Sequence, residues 1–245
     1  MKFIRTIYWV LFATGSLLLA GVYLPYLWYL ERWGRNQRRD EIIWNFAHWW
    51  GRVVLGATGS KVTVRGAENI PSGSVVVMGN HQSYFDIMLV LGYIDKPLAF
   101  IAKKELARAP IVAPWVRQMG GIFLDRKDVR QAARVFQQAV EKVKGGYSMV
   151  IFPEGTRSRS AEMGDYKKGS MKLPLRAGVP IIPVSIDGTY KVFEGNGYRI
   201  GSTDIILTIA PPIMPQDYAE KSTSAVAEMV REQVEGGLKD GAIDG

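Results

Sequence analysis

The longest charge-free stretch of the sequence covers residues 6–30, which is 25 residues. A helix of that length would reach about 37 Å, enough to cross the hydrocarbon core of a bilayer. The stretch is too long for a signal peptide, and no small-residue cleavage site follows it. It therefore predicts a membrane-associated helix, in which a kink is expected near Gly15-Ser16 and Pro25.

A second apolar run, at residues 42–58, follows a polar, basic turn. Six of the seven tryptophans lie within the first 50 residues, and tryptophan is enriched at the boundary between lipid and water. Residues 1–60 carry seven Lys or Arg and three Asp or Glu. Their net charge of +4 is half of the whole chain's net charge of +8. These features indicate that the second run also belongs to a membrane-anchoring region.

We therefore expect a two-helix membrane-anchoring segment at residues 1–58, followed by a domain at 59–245. The first run either crosses the bilayer or forms, with the second, a helical hairpin dipped into one leaflet. Burial of both runs in a soluble core is the third possibility. His48 has no carboxylate at a helpful spacing, so we interpret it as an amphipathic boundary residue.

Composition excludes several kinds of chemistry. The chain has no cysteine and two histidines, so disulfides, thiolate catalysis and cysteine-based metal sites are excluded, and we expect no metal. Its 31 Lys and Arg outnumber 23 Asp and Glu, which favours anionic partners such as a membrane surface, a phosphorylated substrate or an acidic carrier protein. No long basic run, recognition helix or aromatic RNA-binding pattern is present, so nucleic acid is not an expected partner.

Short β-branched runs alternate with helical patterns from Lys61 onwards. This alternation predicts an α/β domain with a mostly parallel or mixed sheet flanked by helices. Predicted strands lie at 61–65, 75–79, 98–102, 120–126, 148–152, 180–186 and 204–209. Predicted helices include 128–144, 169–177 and, as a polar surface helix, 215–238.

The heptapeptide at 80–86 lies between a predicted strand and a predicted helix, whose start at Ser83 has a capping-box pattern. With His81 in the turn, the chain can bend so that Asp86 faces the imidazole. A carboxylate on one ring nitrogen fixes the tautomer and leaves the other nitrogen to take a proton from a hydroxyl. The alternative is that Asp86 only caps the helix and His81 is a satisfied turn residue.

Polar clusters follow three of the predicted strands: His81 with Asp86, then Arg126, then Glu154-Gly155-Thr156-Arg157. Ligands of parallel sheets bind outside the carboxyl ends of the strands, so these clusters are expected to converge. Taken singly, each has an ordinary interpretation. Arg126 would pair with Asp125 at the surface, and the charges of the third cluster would be solvated.

Four ordered blocks lie between residues 80 and 184: 80–86 (NHQSYFD), 121–126 (GIFLDR), 152–158 (FPEGTRS) and 179–184 (VPIIPV). They resemble the motifs of the glycerolipid acyltransferases, in which the first block is NHxSxxD or HX4D. The FPEGTRS block has no substitution, and it favours the branch of the family that acylates lysophosphatidate over the lipid A acyltransferases.

The resemblance implies transfer of an acyl chain from a thioester, acyl-carrier protein or coenzyme A, to the 2-hydroxyl of lysophosphatidate, giving phosphatidate. It implies that His81 acts as general base and Asp86 orients its ring, while Glu154 accepts a hydrogen bond from the glycerol part. No cofactor and no covalent enzyme intermediate are expected, which suits a chain with no cysteine and no G-x-S-x-G elbow.

The resemblance also implies how the acceptor is held. Arg126 and Arg157, with Lys104 or Lys168, are expected to bind the phosphate, since a guanidinium fork matches phosphate oxygens. Gly155 would allow close backbone approach, and the amides of Gly155 and Thr156 would face the oxyanion.

The expected location is the cytoplasmic face of the cell membrane, with the N-terminal hairpin docked in one leaflet among membrane lipids. Three alternatives remain open. In the first, the same chemistry acts on another acceptor, such as glycerol-3-phosphate or a different lysolipid. In the second, the chain is a non-catalytic lipid-binding module. In the third, it is a hydrolase that uses water in place of the lipid hydroxyl.

Overall fold

The computed structural model describes residues 2–125 and 128–243. The helices are α1 (Lys2–Arg32), α2 (Asn36–Gly56), α3 (Phe85–Tyr93), α4 (Val112–Gln118), α5 (Val129–Lys144), α6 (Lys172–Ala177), α7 (Pro215–Tyr218) and α8 (Thr223–Ile243). The strands are β1 (Lys61–Arg65), β2 (Val76–Gly79), β3 (Leu98–Lys103), β4 (Ile122–Leu124), β5 (Ser148–Ile151), β6 (Ile181–Asp187) and β7 (Asp204–Ile209). Short 3₁₀ helices include Lys104–Arg108, Lys168–Met171, Thr189–Val192 and Glu194–Asn196.

The strands form one sheet in the order β1-β7-β6-β2-β5-β3-β4. All neighbouring strands are parallel except β6 and β7, which are antiparallel. The predicted mixed, mostly parallel sheet is thereby confirmed. Since β5, β2 and β6 are adjacent and parallel, the loops that follow them leave the same edge of the sheet.

Apolar side chains alternate between the two faces of the sheet, as the period of a strand requires. On β2, Val76 and Met78 contribute to the cluster formed with α5, α6 and α8. Val77 contributes to the second cluster, on the opposite face, together with Leu55 of α2 and Leu89 of α3. Helices therefore cover both faces, and α2 shares a core with the sheet.

The predicted polar surface helix at 215–238 is wrong. The chain forms α7 and α8 there, with a break between them, and α8 packs on the sheet. Val226, Val230 and Val234 are fully buried. They recur every four residues, which places them on one face of a helix.

Helix α1 continues without a break through Gly15, Ser16 and Pro25. Its 31 residues span about 46 Å at the usual rise of a helix. It is long and apolar enough to cross a membrane, and most of its apolar window is exposed. Leu11, for example, is 68% exposed. Such a surface indicates association with a membrane.

Helices α2 and α3 cross at a contact between two glycines. A Cβ atom at Gly51 would lie 2.6 Å from the carbonyl oxygen of Met88 and 2.7 Å from the amide nitrogen of Gly92. Both neighbours are backbone atoms, so neither can move without shifting α3. The contact is therefore one that only a residue without a side chain allows.

We expect Gly51→Ala to lower the free energy of unfolding by about 1–3 kcal/mol, the usual cost of overpacking, despite the better helix propensity of alanine. Thermal unfolding in detergent measures this loss of stability. Gly56→Ala is the matched control, because a Cβ there meets nothing within 4 Å. Equal melting temperatures for the two variants would contradict the close crossing of α2 and α3.

Candidate active site

The turn between β2 and α3 holds His81 beside Asp86. The imidazole Nδ1 lies 2.6 Å from Oδ2 of Asp86, whose side chain is fully buried. A carboxylate accepts, so Nδ1 carries the proton in this pair and Nε2 is the basic nitrogen. Within residues 2–125 and 128–243, Nε2 has no hydrogen-bond partner. The structure thus brings together the two residues that the spacing predicted.

Three further donors fix the Asp86 carboxylate. Oδ2 also accepts from the backbone amides of Gln82, at 2.7 Å, and Ser83, at 2.9 Å. Oδ1 accepts from the hydroxyl of Thr189, at 2.5 Å. Capping the turn and orienting the histidine, which the sequence presents as alternatives, are therefore done by the same side chain.

The ring of Phe152 covers one face of the imidazole. The two ring centroids are 4.1 Å apart and the planes are nearly parallel, at 12°. Phe152 directly follows β5, so the neighbouring strand limits the rotation of His81. The imidazole is 17% exposed, which leaves a path for a reacting hydroxyl.

The loop after β5 is joined to the His81 turn by backbone hydrogen bonds. The amide of Ser158 donates to the carbonyl of His81 at 2.8 Å, and the amide of Arg159 donates to the carbonyl of Gln82 at 3.2 Å. Glu154 lies behind this contact and is 4% exposed. The predicted convergence of the clusters after β2 and β5 is observed.

Both oxygens of Glu154 accept from the protein. Oε1 accepts from the amide of His81 at 2.8 Å and Oε2 from the amide of Gly164 at 3.1 Å. Burial raises the pKa of this carboxyl, and the two backbone hydrogen bonds oppose the rise. The side chain is placed to hold the His81 turn, and its contact with the glycerol part stays a prediction.

Gly155 has φ of +69°, a conformation that favours glycine, and Nζ of Lys167 lies 2.7 Å from the position that a Cβ would take. Its amide donates to the carbonyl of Phe152 at 3.0 Å, so it is engaged in the turn and does not face an oxyanion. Thr156 is exposed. Of the two amides expected at the oxyanion, that of Thr156 is the one without a backbone partner in the described chain.

Arg157 is held on two sides. Its Nη1 lies 2.7 Å from Oε1 of Glu194, and its guanidinium lies 3.4 Å from the centre of the Tyr84 ring. Its side chain is 17% exposed. Arg157 thus lies against the residues that begin α3, close to the His81 turn.

The other predicted phosphate ligands are placed differently. Arg126 lies outside the described residues. Lys104 follows β3 and its Nζ lies 2.8 Å from Oδ2 of Asp125, a hydrogen bond that raises the pKa of the lysine. Lys168 is exposed, and its neighbour Lys167 is the residue that extends over Gly155.

Thr189 and Glu194 are site residues that sequence reasoning missed. Both lie after β6, the third of the adjacent parallel strands. The available signal was the position of the loop: polar residues after β6 leave the same sheet edge as those after β2 and β5.

Four successive amides, those of residues 81–84, donate to three buried carboxylates. His81 donates to Glu154, Gln82 and Ser83 donate to Asp86, and Tyr84 donates to Glu194 at 3.1 Å. In the part of the chain that the structure describes, no group of three His, Asp or Glu side chains is arranged to hold a metal ion. The arrangement instead presents one basic nitrogen, Nε2 of His81, in a rigid turn.

Comparison with known proteins identifies relatives of the chain. The family model described as Acyltransferase matches residues 61–187. The 1-acyl-sn-glycerol-3-phosphate acyltransferase of Borreliella burgdorferi is 33% identical over 184 residues, which are 75% of this chain and 74% of that protein. The protein of the same name from Pseudomonas aeruginosa is 32% identical over 187 residues, 75% of this chain and 69% of its own length.

A solved structure is similar over nearly the whole chain. It is the crystal structure of the 1-acyl-sn-glycerophosphate (LPA) acyltransferase, PlsC, from Thermotoga maritima. The TM-score is 0.84 at 32% identity, covering 98% of this chain and 97% of that one. The region matched by the family model contains His81, Asp86 and the loop after β5. The chain therefore belongs to the acyltransferase family and is an enzyme of that family.

Proposed function

We propose that this enzyme transfers an acyl group from a thioester to the 2-hydroxyl of lysophosphatidate, giving phosphatidate for phospholipid synthesis. The observation that carries the mechanism is the pair of His81 and buried Asp86, which leaves Nε2 as the basic nitrogen, without a partner among the described residues. The relatives from Borreliella burgdorferi and Pseudomonas aeruginosa, named for this acceptor, support the choice of substrate.

In the proposed reaction, Nε2 of His81 takes the proton of the acceptor hydroxyl while the hydroxyl oxygen attacks the thioester carbonyl. Asp86, which accepts the Nδ1 proton, stabilises the imidazolium that forms. When the tetrahedral intermediate collapses, the carbon–sulfur bond breaks and the imidazolium returns the proton to the leaving thiolate. The products are the ester and a free thiol, and the base is regenerated without a cofactor.

Arg157 is the proposed ligand of the acceptor phosphate within the described chain, because it lies at the His81 turn and a guanidinium suits phosphate oxygens. Arg126, Lys104 and Lys168 remain candidates for the same role. Thr156 is the proposed source of an amide for the oxyanion. The acyl donor is either acyl-carrier protein or acyl coenzyme A.

We further propose that residues 1–58 anchor the catalytic part, 59–245, to the cytoplasmic face of the cell membrane. The exposed apolar side chains of α1 support this location, since both the acceptor and the product are lipids. A reaction at the membrane surface avoids moving acyl chains into water.

The base is tested by His81→Ala, measured with lysophosphatidate and one acyl thioester. We expect kcat to fall at least about 100-fold, the usual contribution of a general base. His48→Gln is the matched control at the other histidine, and it should keep activity. Unchanged thioester consumption in His81→Ala would contradict the mechanism. Release of free fatty acid in place of phosphatidate by the unaltered enzyme would make it a hydrolase.

The Thr189 hydroxyl, which donates to Oδ1 of Asp86, gives a finer test. Thr189→Val keeps the shape of the side chain but removes the hydroxyl that Oδ1 accepts from. We expect kcat to fall about tenfold, which corresponds to the loss of one hydrogen bond to a charged group. Thr189→Ser keeps the hydroxyl and should remain near the unaltered rate. Equal rates for the two variants would show that Thr189 does not support Asp86.

The membrane surface is tested by Leu11→Asp, Leu18→Asp and Val22→Asp combined, at exposed positions of α1. A charge in hydrocarbon costs about 2.5–3.5 kcal/mol, so we expect most of the protein to leave lipid vesicles in a flotation assay. The control places three aspartates at exposed positions elsewhere, as Ala133→Asp, Gln138→Asp and Ala225→Asp. Equal flotation of both variants would refute the role of α1.

A further inference from the structure

Glu194 is a buried carboxylate that takes no part in the proposed proton transfer. It lies in the 3₁₀ helix Glu194–Asn196, between β6 and β7, and its side chain is 1% exposed. Three donors converge on it: the hydroxyl of Ser83 at 2.6 Å, the amide of Tyr84 at 3.1 Å and Nη1 of Arg157 at 2.7 Å. A carboxylate this buried is tolerated only because it is fully paired.

Its contact with Arg157 fixes the direction of the guanidinium. One edge of the guanidinium meets Glu194, and one face lies on the Tyr84 ring. In residues 2–125 and 128–243, the remaining donors Nε and Nη2 have no hydrogen-bond partner. Arg157 is therefore held as a rigid group with one free edge, which removes most of the entropy cost of ordering an arginine on a ligand.

The same carboxylate also reaches the catalytic turn. Ser83 and Tyr84 lie between His81 and Asp86, and Tyr84 immediately precedes α3. Glu194 thus ties the guanidinium to the chain segment that carries the base. The backbone hydrogen bonds of Ser158 and Arg159 hold the loop of Arg157 against the His81 turn, and Glu194, from a third loop, fixes where the guanidinium lies relative to that turn.

We infer that Glu194 is a positioning residue for the acceptor: it presents Arg157 to the phosphate at a fixed distance from His81. This inference rests on the proposed function, in which Arg157 binds that phosphate. Glu194 itself touches neither substrate. Loss of Glu194 should therefore weaken binding of the acceptor selectively, because Arg157 has no proposed role in binding the acyl thioester.

The experiment measures KM for lysophosphatidate and, separately, for the acyl thioester in Glu194→Ala, Glu194→Gln, Arg157→Ala and the Glu194→Ala/Arg157→Ala double variant. We expect Glu194→Ala to raise the acceptor KM about tenfold and leave the donor KM within about twofold. Glu194→Gln, which keeps the shape and an accepting oxygen, should fall between the unaltered enzyme and Glu194→Ala. In the Arg157→Ala background, Glu194→Ala should change the acceptor KM less than about twofold.

A purely structural role gives a different result. It lowers the active fraction, so kcat falls while both KM values stay the same, and this outcome overturns the inference. An acceptor KM below that of the unaltered enzyme in Glu194→Gln also overturns it, since Glu194 would then compete with the phosphate for Arg157. If Glu194→Ala does not fold, the KM values of Glu194→Gln for the acceptor and for the acyl thioester test the inference in the same way.

A control variant and the Arg157→Ala variant distinguish failure of the Glu194 inference from failure of the proposed function. Asp217→Asn removes a carboxylate that accepts from the amide of Met214 at 2.9 Å, away from the site, and should leave both KM values unchanged. If Arg157→Ala raises the acceptor KM and Glu194→Ala does not, only the role of Glu194 is wrong. If Arg157→Ala leaves the acceptor KM unchanged, the phosphate assignment in the proposed function fails, and the inference fails with it.

Discussion

The site depends on the backbone amides of residues 81–84, which lead into α3. These amides lie in the turn before α3, and a buried amide without a hydrogen-bond partner is costly. Here three buried carboxylates, Asp86, Glu154 and Glu194, satisfy them. They come from three different strand-end segments, so the turn can form only when β2, β5 and β6 are side by side. The order of the central strands is thus a requirement of the chemistry as well as of the core.

Helix α3 connects this turn to α2. Its first turn carries Asp86, and its last carbonyls, which lack partners within the helix, accept from α2. Nε of Arg52 donates to Gly92 at 2.5 Å, and Nδ1 of His48 lies 3.0 Å from the carbonyl oxygen of Leu91. The carbonyl can only accept, so Nδ1 donates in this pair. Burial, and to a lesser extent Arg52, lowers the pKa of His48. The second histidine is a packing residue between α2 and α3, which agrees with the absence of a nearby carboxylate in the sequence.

Sequence reasoning succeeded where the contacts are local. His81 and Asp86 are five residues apart, and a strand, a turn and a helix start constrain how they meet. It failed for two residues on a distant segment: Thr189 lies over 100 residues from Asp86, and Glu194 lies over 100 residues from Ser83. In the sequence, a glutamate in a loop has the appearance of a solvated charge. It failed also for α8, because a mostly polar composition conceals a single stripe of buried valines.

The three carboxylates limit where an anionic acceptor can bind. A helix N-terminus usually attracts phosphate, but the amides leading into α3 are already occupied by the chain's own carboxylates. In the proposed function we therefore expect side-chain cations to hold the phosphate, on the side of the turn where Arg157 has an edge without a partner in the described residues. Lys104 is farther along the same sheet edge, after β3, and it shares its charge with Asp125. If His81 and Arg157 have the proposed roles, this separation, with carboxylates fixing the backbone and a guanidinium left for the ligand, explains how one turn holds a base rigidly beside a negatively charged lipid.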